Sequence, residues 1–217
     1  MYQQKAPTTF VLVRRVLHLY AGLVLFGVSL AVLVEAGLGL DPWDVLHQGL
    51  ARVSGWSIGT VVNSVGLLVL LLWLPLRQRP GIGTVSNVIV VGVVADASLA
   101  LIPTPSGLAL RSMLLVGAIV LNAVGTGLYI GAGLGPGPRD GLMTGLAAKG
   151  FSIRSARTLI ELLVLTGGWL LGGTVGVGTV AYAIGIGPLA QFFIARLSVA
   201  APDPVPPLKE AEPCLVC

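Results

Sequence analysis

Six apolar stretches, at 16–34, 57–76, 84–102, 111–130, 155–171 and 178–197, decide what this chain can fold into. Each is close to the ~20 residues needed to carry an α-helix across a ~30 Å hydrocarbon slab. Inside such a slab every backbone N–H and C=O must be satisfied within the protein, so the stretches predict helices and not isolated strands. The rest of the chain offers little that could form a water-facing surface. Charged residues make up 10% of the sequence and hydrophobic residues 55%, whereas a soluble domain has about 25% charged. The 30 glycines and 14 prolines lie within or beside the apolar runs, where membrane helices use them for close packing. The expectation is an all-α, polytopic transmembrane helix bundle in direct contact with the lipid bilayer.

The net charge of +4 reads as cytoplasmic-loop charge and not as a nucleic-acid surface. With the N-terminus inside, every Lys and Arg falls on the inner side except Arg52 and Arg111, a strong positive-inside bias. Both termini are therefore expected in the cytoplasm. The first apolar run is long and ends in Val34-Glu35-Ala36-Gly37 with no small-residue cleavage site, so it reads as a retained helix and not a signal peptide. Residues 202–217 turn Pro-rich and charged and read as a disordered cytoplasmic tail. Their Cys214 and Cys217 form a C-x-x-C with no second pair to complete a zinc site. Cys-Leu-Val-Cys also fits a prenylation box formally, but nothing else suggests the eukaryotic cytosol that box needs.

The chain repeats itself. Gly37-Leu38-Gly39-Leu40-Asp41-Pro42-Trp43-Asp44 recurs as Gly133-Leu134-Gly135-Pro136-Gly137-Pro138-Arg139-Asp140. Leu46, Gly49 and Leu50 then fall on Leu142, Gly145 and Leu146. After a one-residue gap, Ser57-Ile58 falls on Ser152-Ile153, Gly83-Thr84-Val85 on Gly178-Thr179-Val180, and Gly92 on Gly187. This predicts a duplication, with a first repeat at 1–106 and a second at 107–201. Each repeat holds three spans plus a short helix after the first, at 42–54 and 138–149. Pro42 and Pro138 suit a first helical turn, and Asp44 and Asp140 there complement the helix dipole. At about 18 Å these helices are too short to cross, so they are expected to be re-entrant or interfacial. Three crossings per half is odd, which inverts the second half. Short helices at equivalent places in inverted repeats are a recurrent transporter plan.

Polar residues at bilayer depth are the candidates for function, each with a plainer alternative. Asp96, deep in the third span, is costly there unless paired or hydrated. It is a candidate proton relay or cation site, or else a cap for polar backbone near the outer interface. Gln191 is its counterpart in the second half. Glu161 lies one turn after Arg157 on the fifth span, an i,i+4 arrangement that forms either a structural ion pair or a switchable pair beside a permeation path. Asp44 and Asp140 either steady the short helices or leave their N-termini facing a solute anion, with Arg139 adding charge. Asn63, Asn87 and Asn122 either bond between helices or line a polar cavity. No P-loop, G-x-S-x-G or H-E-x-x-H stands in the sequence, so an ATP-driven pump is excluded. The expectation is a non-enzyme without cofactor or metal.

The paired Gly-Leu-Gly-x-x-Pro-x-Asp motifs, with Gly81-Ile82-Gly83-Thr84-Val85-Ser86-Asn87 between them, resemble the YczE-like bacterial membrane proteins, related to the YyaS/YitT group. The resemblance runs from about Arg15 to Leu197. It implies a bacterial cytoplasmic-membrane protein of permease type and maps no catalytic residue. The leading functional expectation is a secondary transporter of a small polar or organic solute, coupled to protons through Asp96 or Glu161. A non-transporting accessory or assembly protein is the first alternative, and a channel or lipid-handling protein the second. A homo-oligomer is a further expectation.

Overall fold

The computed structural model describes residues 9–199 apart from 151. The tail with Cys214 and Cys217 lies outside the described residues. Within them the chain forms eight helices and no strand: α1 (Thr9–Ala36), α2 (Pro42–Ser54), α3 (Ile58–Leu76), α4 (Ile82–Leu101), α5 (Leu108–Gly131), α6 (Pro138–Ala147), α7 (Ile153–Leu170) and α8 (Val177–Leu197).

Five of these, α1, α3, α4, α5 and α8, are long and apolar enough to cross a membrane. The sixth expected span, α7, has 18 residues and carries Arg154, Arg157 and Glu161 in its first half, a charge load that sets it apart from the others. The short helices stand where the prolines predict them. α6 stops at Ala147 and not at residue 149. α1 begins at Thr9, ahead of its apolar run.

Local chemistry delimits α2 sharply. Asp41 caps it, its carboxylate accepting from Asp44 N–H at 2.7 Å, and Pro42 fills the first turn. Gly55 closes it at φ 74°, the left-handed conformation in which a side chain is disfavoured. Ser57 then starts α3 by accepting from Thr60 N–H at 3.2 Å.

Side-chain contacts fix the direction of each helix. α1 and α5 pack antiparallel at the centre of the bundle. At one end Arg15 of α1 donates to the carbonyls of Ala132 and Gly133 at 2.7 and 2.8 Å. At the other, Arg111 of α5 donates to those of Ala36 and Gly37 at 2.6 and 2.7 Å. Each arginine thus satisfies orphan carbonyls at the end of the other helix. Between them Gly22 lets the backbones touch, since a Cβ there would lie 2.6 Å from Tyr129 N. In lipid, where apolar side chains gain nothing by leaving the solvent, such close backbone approach is a main source of helix association.

α4 runs parallel to α1, with Gly27 against Val91 and Val94, and α8 runs parallel to α5, with Gly127 against Phe193. The short helices cross over between the halves of the chain: α2 packs on α7 and α6 on α3. The Trp73 ring of α3 lies on Gly141 of α6 and donates to the Pro138 carbonyl at 3.0 Å. Gly168 of α7 makes room for Val45 and Leu46 of α2.

Candidate functional site

The N-terminal turns of α2 and α6 face a common cavity of about 320 Å³ between the two halves. Asp41, Pro42 and Trp43 come from one helix start, and Gly137, Pro138 and Arg139 from the other. α3, α4, α5, α7 and α8 supply most of the remaining wall, which mixes valines and small residues with a few polar groups, the usual make-up of a small-molecule site.

Arg139 joins the two helix starts. Its guanidinium lies 3.4 Å from Asp41 Oδ2 and 3.7 Å from Asp44 Oδ1, and 5.0 Å from the Trp43 ring centroid, within range of a cation–π contact. Asp44 Oδ1 also pairs with His47 Nδ1 at 3.0 Å. Asp41 and Asp44 are 2% and 1% exposed, so this one cation holds two carboxylates out of water. Asp44 Oδ2 is buried with no hydrogen-bond partner among the described residues. A buried, unmatched carboxylate oxygen is costly to stability.

The two helix starts differ. Asp41 occupies the N-terminus of α2, whereas Gly137 leaves that of α6 without a side-chain cap. Asp140 turns sideways and accepts from the Tyr129 hydroxyl at 2.9 Å. A buried relay lies across the cavity wall: Tyr182 donates to Asn122 Oδ1 at 3.0 Å, and Asn122 Nδ2 donates to Ser29 Oγ at 2.9 Å.

Most of the residues expected from sequence come together here. Arg139, Asp140, Asn87 and Asn122 line the cavity, as do Gln191, Arg157 and Glu161. Arg157 and Glu161 form the expected i,i+4 pair at 2.9 Å. Asp44 sits just behind the lining, tied to it through Arg139. It lies in the first turn of α2, as expected, while Asp41 caps the helix.

Asp96 and Asn63 do not line the cavity. Asp96 accepts from Ser57 Oγ at 2.6 Å and from Gly59 N–H at 2.7 Å, which makes it a cap for the start of α3. Burial depth along the sequence could not separate this role from a relay, because the α3 N-terminus reaches Asp96 only through the fold. Asn63 faces the backbone at Gly92, and its Oδ1 has no partner among the described residues.

Sequence reasoning passed over Asp41, Trp43, Tyr129 and Tyr182. Asp41 carried a signal, since an aspartate directly before a proline-led helix is an N-cap pattern. The tyrosines carried none, because a tyrosine within a span is equally at home facing lipid headgroups.

Comparison with known proteins identifies a family that includes a membrane protein. The family described as "Family of unknown function (DUF6198)" matches residues 13–195. An uncharacterized protein of Haemophilus influenzae is 40% identical over 179 residues, covering 81% of this chain and 82% of its own length. The uncharacterized membrane protein YczE of Bacillus subtilis is 35% identical over 189 residues, covering 85% of this chain and 87% of its own. YyaS of the same organism is 28% identical over 166 residues, covering 73% of this chain and 81% of its own. No solved structure matches significantly. With the family's extent, its membrane-protein relative and an all-helical fold in agreement, the chain belongs to DUF6198, the YczE-like family of bacterial membrane proteins.

Proposed function

We propose that the protein is a secondary transporter of a small polar or organic solute, built as an inverted repeat around the central cavity. The observation that carries this reading is the cavity itself, with the starts of two short helices from different halves facing into it and Arg139 spanning between them. Its volume lies at the small end of the range for ligand sites, about 300–1,000 Å³. Interrupted helices whose N-termini meet at such a site are a transporter device for holding polar solute groups.

Support for the inversion comes from contacts that recur in the second half. Arg15 caps the end of α5 and Arg111 caps the end of α1. Gly83 N–H donates to the Leu134 carbonyl at 2.9 Å, and Gly178 N–H to that of Leu38 at 2.8 Å. In each case the sequence repeat maps one contact onto the other, and the antiparallel α1 and α5 fit opposite orientations in the membrane. In this reading α7 is the sixth crossing, its charges are masked by the cavity and by the Arg157–Glu161 pair, and both termini are cytoplasmic. Proton coupling, where present, falls to the carboxylates beside Arg139 and to Glu161. Asp96 acts as a cap.

The test is flux into proteoliposomes carrying an internal pH dye, with amino acids, amines and short organic acids offered in turn. Saturable uptake of one class, lost in Arg139→Ala, is the expected result. Unsaturable conductance would favour a channel. No movement of any solute, with the protein folded, would favour an accessory protein. Single cysteines at the exposed positions 54 and 149, at the far ends of the two short helices and outside the cavity, in a background without Cys214 and Cys217, should label from opposite sides of the membrane. Labelling of both from one side would remove the inverted repeat.

A further inference from the structure

The two halves do not hold the same conformation. In the first, α3 lies tightly on α4: the Gly59 and Gly92 backbones touch, and a side chain at either position would collide with the facing helix. Asn63 packs on Gly92, Gly66 sits against Val88, and Asp96 caps the start of α3. In the second half, the corresponding helices α7 and α8 barely meet. Gly187, the counterpart of Gly92, would accept a Cβ with none of the described residues within 4 Å. Gln191, the counterpart of Asp96, is exposed, and Ser152, the counterpart of Ser57, makes no capping bond. The cleft between α7 and α8 is walled by Arg157 and Glu161 on one side and by Ala183, Gly187 and Gln191 on the other, and all five also line the central cavity.

We infer that α3/α4 and α7/α8 are reciprocal gates, and that the structure is the state in which the first is shut and the second open. This deepens the proposed transporter and rests on its inverted repeat. A chain whose halves are alike in sequence has two states of comparable energy, related by exchanging the conformations of the halves. A solute or ion that favours one of them shifts the population. In the exchanged state α7 closes on α8 as α3 now closes on α4. The Gln191 amide then reaches Ser152 and the N–H of Arg154, the contacts that Asp96 makes with Ser57 and Gly59. Meanwhile α3 leaves α4 and opens the cavity at the opposite end of the bundle.

The geometry names its own reporter pairs. A Cβ on Gly66 lies 3.7 Å from Val88 Cβ, within the range for a disulfide. The equivalent positions in the second half are 161 and 183, now on opposite walls of the cleft. In membranes from a background lacking Cys214 and Cys217, the pairs Gly66→Cys/Val88→Cys and Glu161→Cys/Ala183→Cys are oxidised with copper phenanthroline. Free thiols are then counted after denaturation with a maleimide polymer. Both pairs should crosslink, the first faster. Gly92→Leu, a wedge in the shut gate, should raise the 161–183 rate several-fold and slow the 66–88 rate.

Gly187→Leu, placed where the structure has open space, should fold normally. It should block 161–183 crosslinking and leave 66–88 fast, so the test stands even if Gly92→Leu does not fold. Reduced thiols at 161 and 183 in every background, with 66–88 crosslinked, would overturn the gate. The readout needs no solute: flux with a fixed cleft would refute the gate alone, and reciprocal crosslinking without flux of any solute would refute the transporter reading alone.

Discussion

Replacing Arg139 with methionine keeps most of the side-chain volume and removes the only cation that contacts Asp41 and Asp44 among the described residues. Both carboxylates are almost wholly buried, and stripping the partner from a buried ion pair typically costs about 3–5 kcal/mol. The Arg139 side chain is 26% exposed towards the cavity, so solvent there offsets part of the loss, and about 2–3 kcal/mol is the reasonable expectation. For a chain of this length that corresponds to a fall of about 5–10 °C in the melting midpoint. The assay is thermal unfolding in mild detergent, followed by loss of the monodisperse peak on size exclusion. The decisive variant is Arg139→Met combined with Asp41→Asn and Asp44→Asn, which removes the charges left behind and should recover most of the loss. Asp41→Asn keeps an N-capping side chain, so the rescue is not confounded by loss of the α2 cap. An Arg139→Met protein melting within about 1 °C of its parent, or a triple variant no more stable than the single one, would refute the charge cluster as the bridge between α2 and α6.

Three further outcomes follow from the packing. Arg15→Ala and Arg111→Ala each remove two charge-assisted bonds to helix-end carbonyls. They should cost similar amounts, about 1.5–3 kcal/mol per bond at most, and their effects should add, as checked by unfolding of the double variant. Gly141→Ala pushes a methyl into the Trp73 ring and should destabilise by about 1–3 kcal/mol. Gly117→Ala, on a helix face with nothing within 4 Å, should be neutral or stabilising by up to about 1 kcal/mol; equal effects at the two sites would contradict the α3–α6 contact. Asp96→Ala should destabilise by about 1–2 kcal/mol through loss of a helix cap, while Asp96→Asn should leave solute flux intact. Abolition of flux by Asp96→Asn in a stably folded protein would return that residue to the pathway.

The sequence was most informative where a physical constraint acts locally. Span length follows from the thickness of the hydrocarbon, and the start of each short helix follows from Pro42 and Pro138, so both could be read from a window of residues. The polar residues that gather at the cavity were legible because their cost in lipid marks them one at a time. Roles that depend on which element lies opposite were not legible. Asp96 could be read as a relay or as a cap until Ser57 and the start of α3 were placed beside it. Asp41 was overshadowed by Asp44, although only Asp41 precedes the proline. The crossing of α2 onto α7 and of α6 onto α3 is a matter of topology, and only the small-for-large exchange of Trp73 with Gly141 hints at it. The difference between the α3/α4 and α7/α8 pairs could not be read from a near-repeat, because similar sequences predict similar packing.

The exchanged arginine caps also bear on how such a chain is assembled. When the first half emerges from the ribosome, the carbonyls of Ala36 and Gly37 have no donor, and Trp73 has no glycine to rest on. Both partners arrive only with α5 and α6, so insertion of the first four helices leaves an intermediate with open hydrogen bonds and an uncovered indole. Two separately synthesised halves could complete one another only by meeting head to tail in the bilayer.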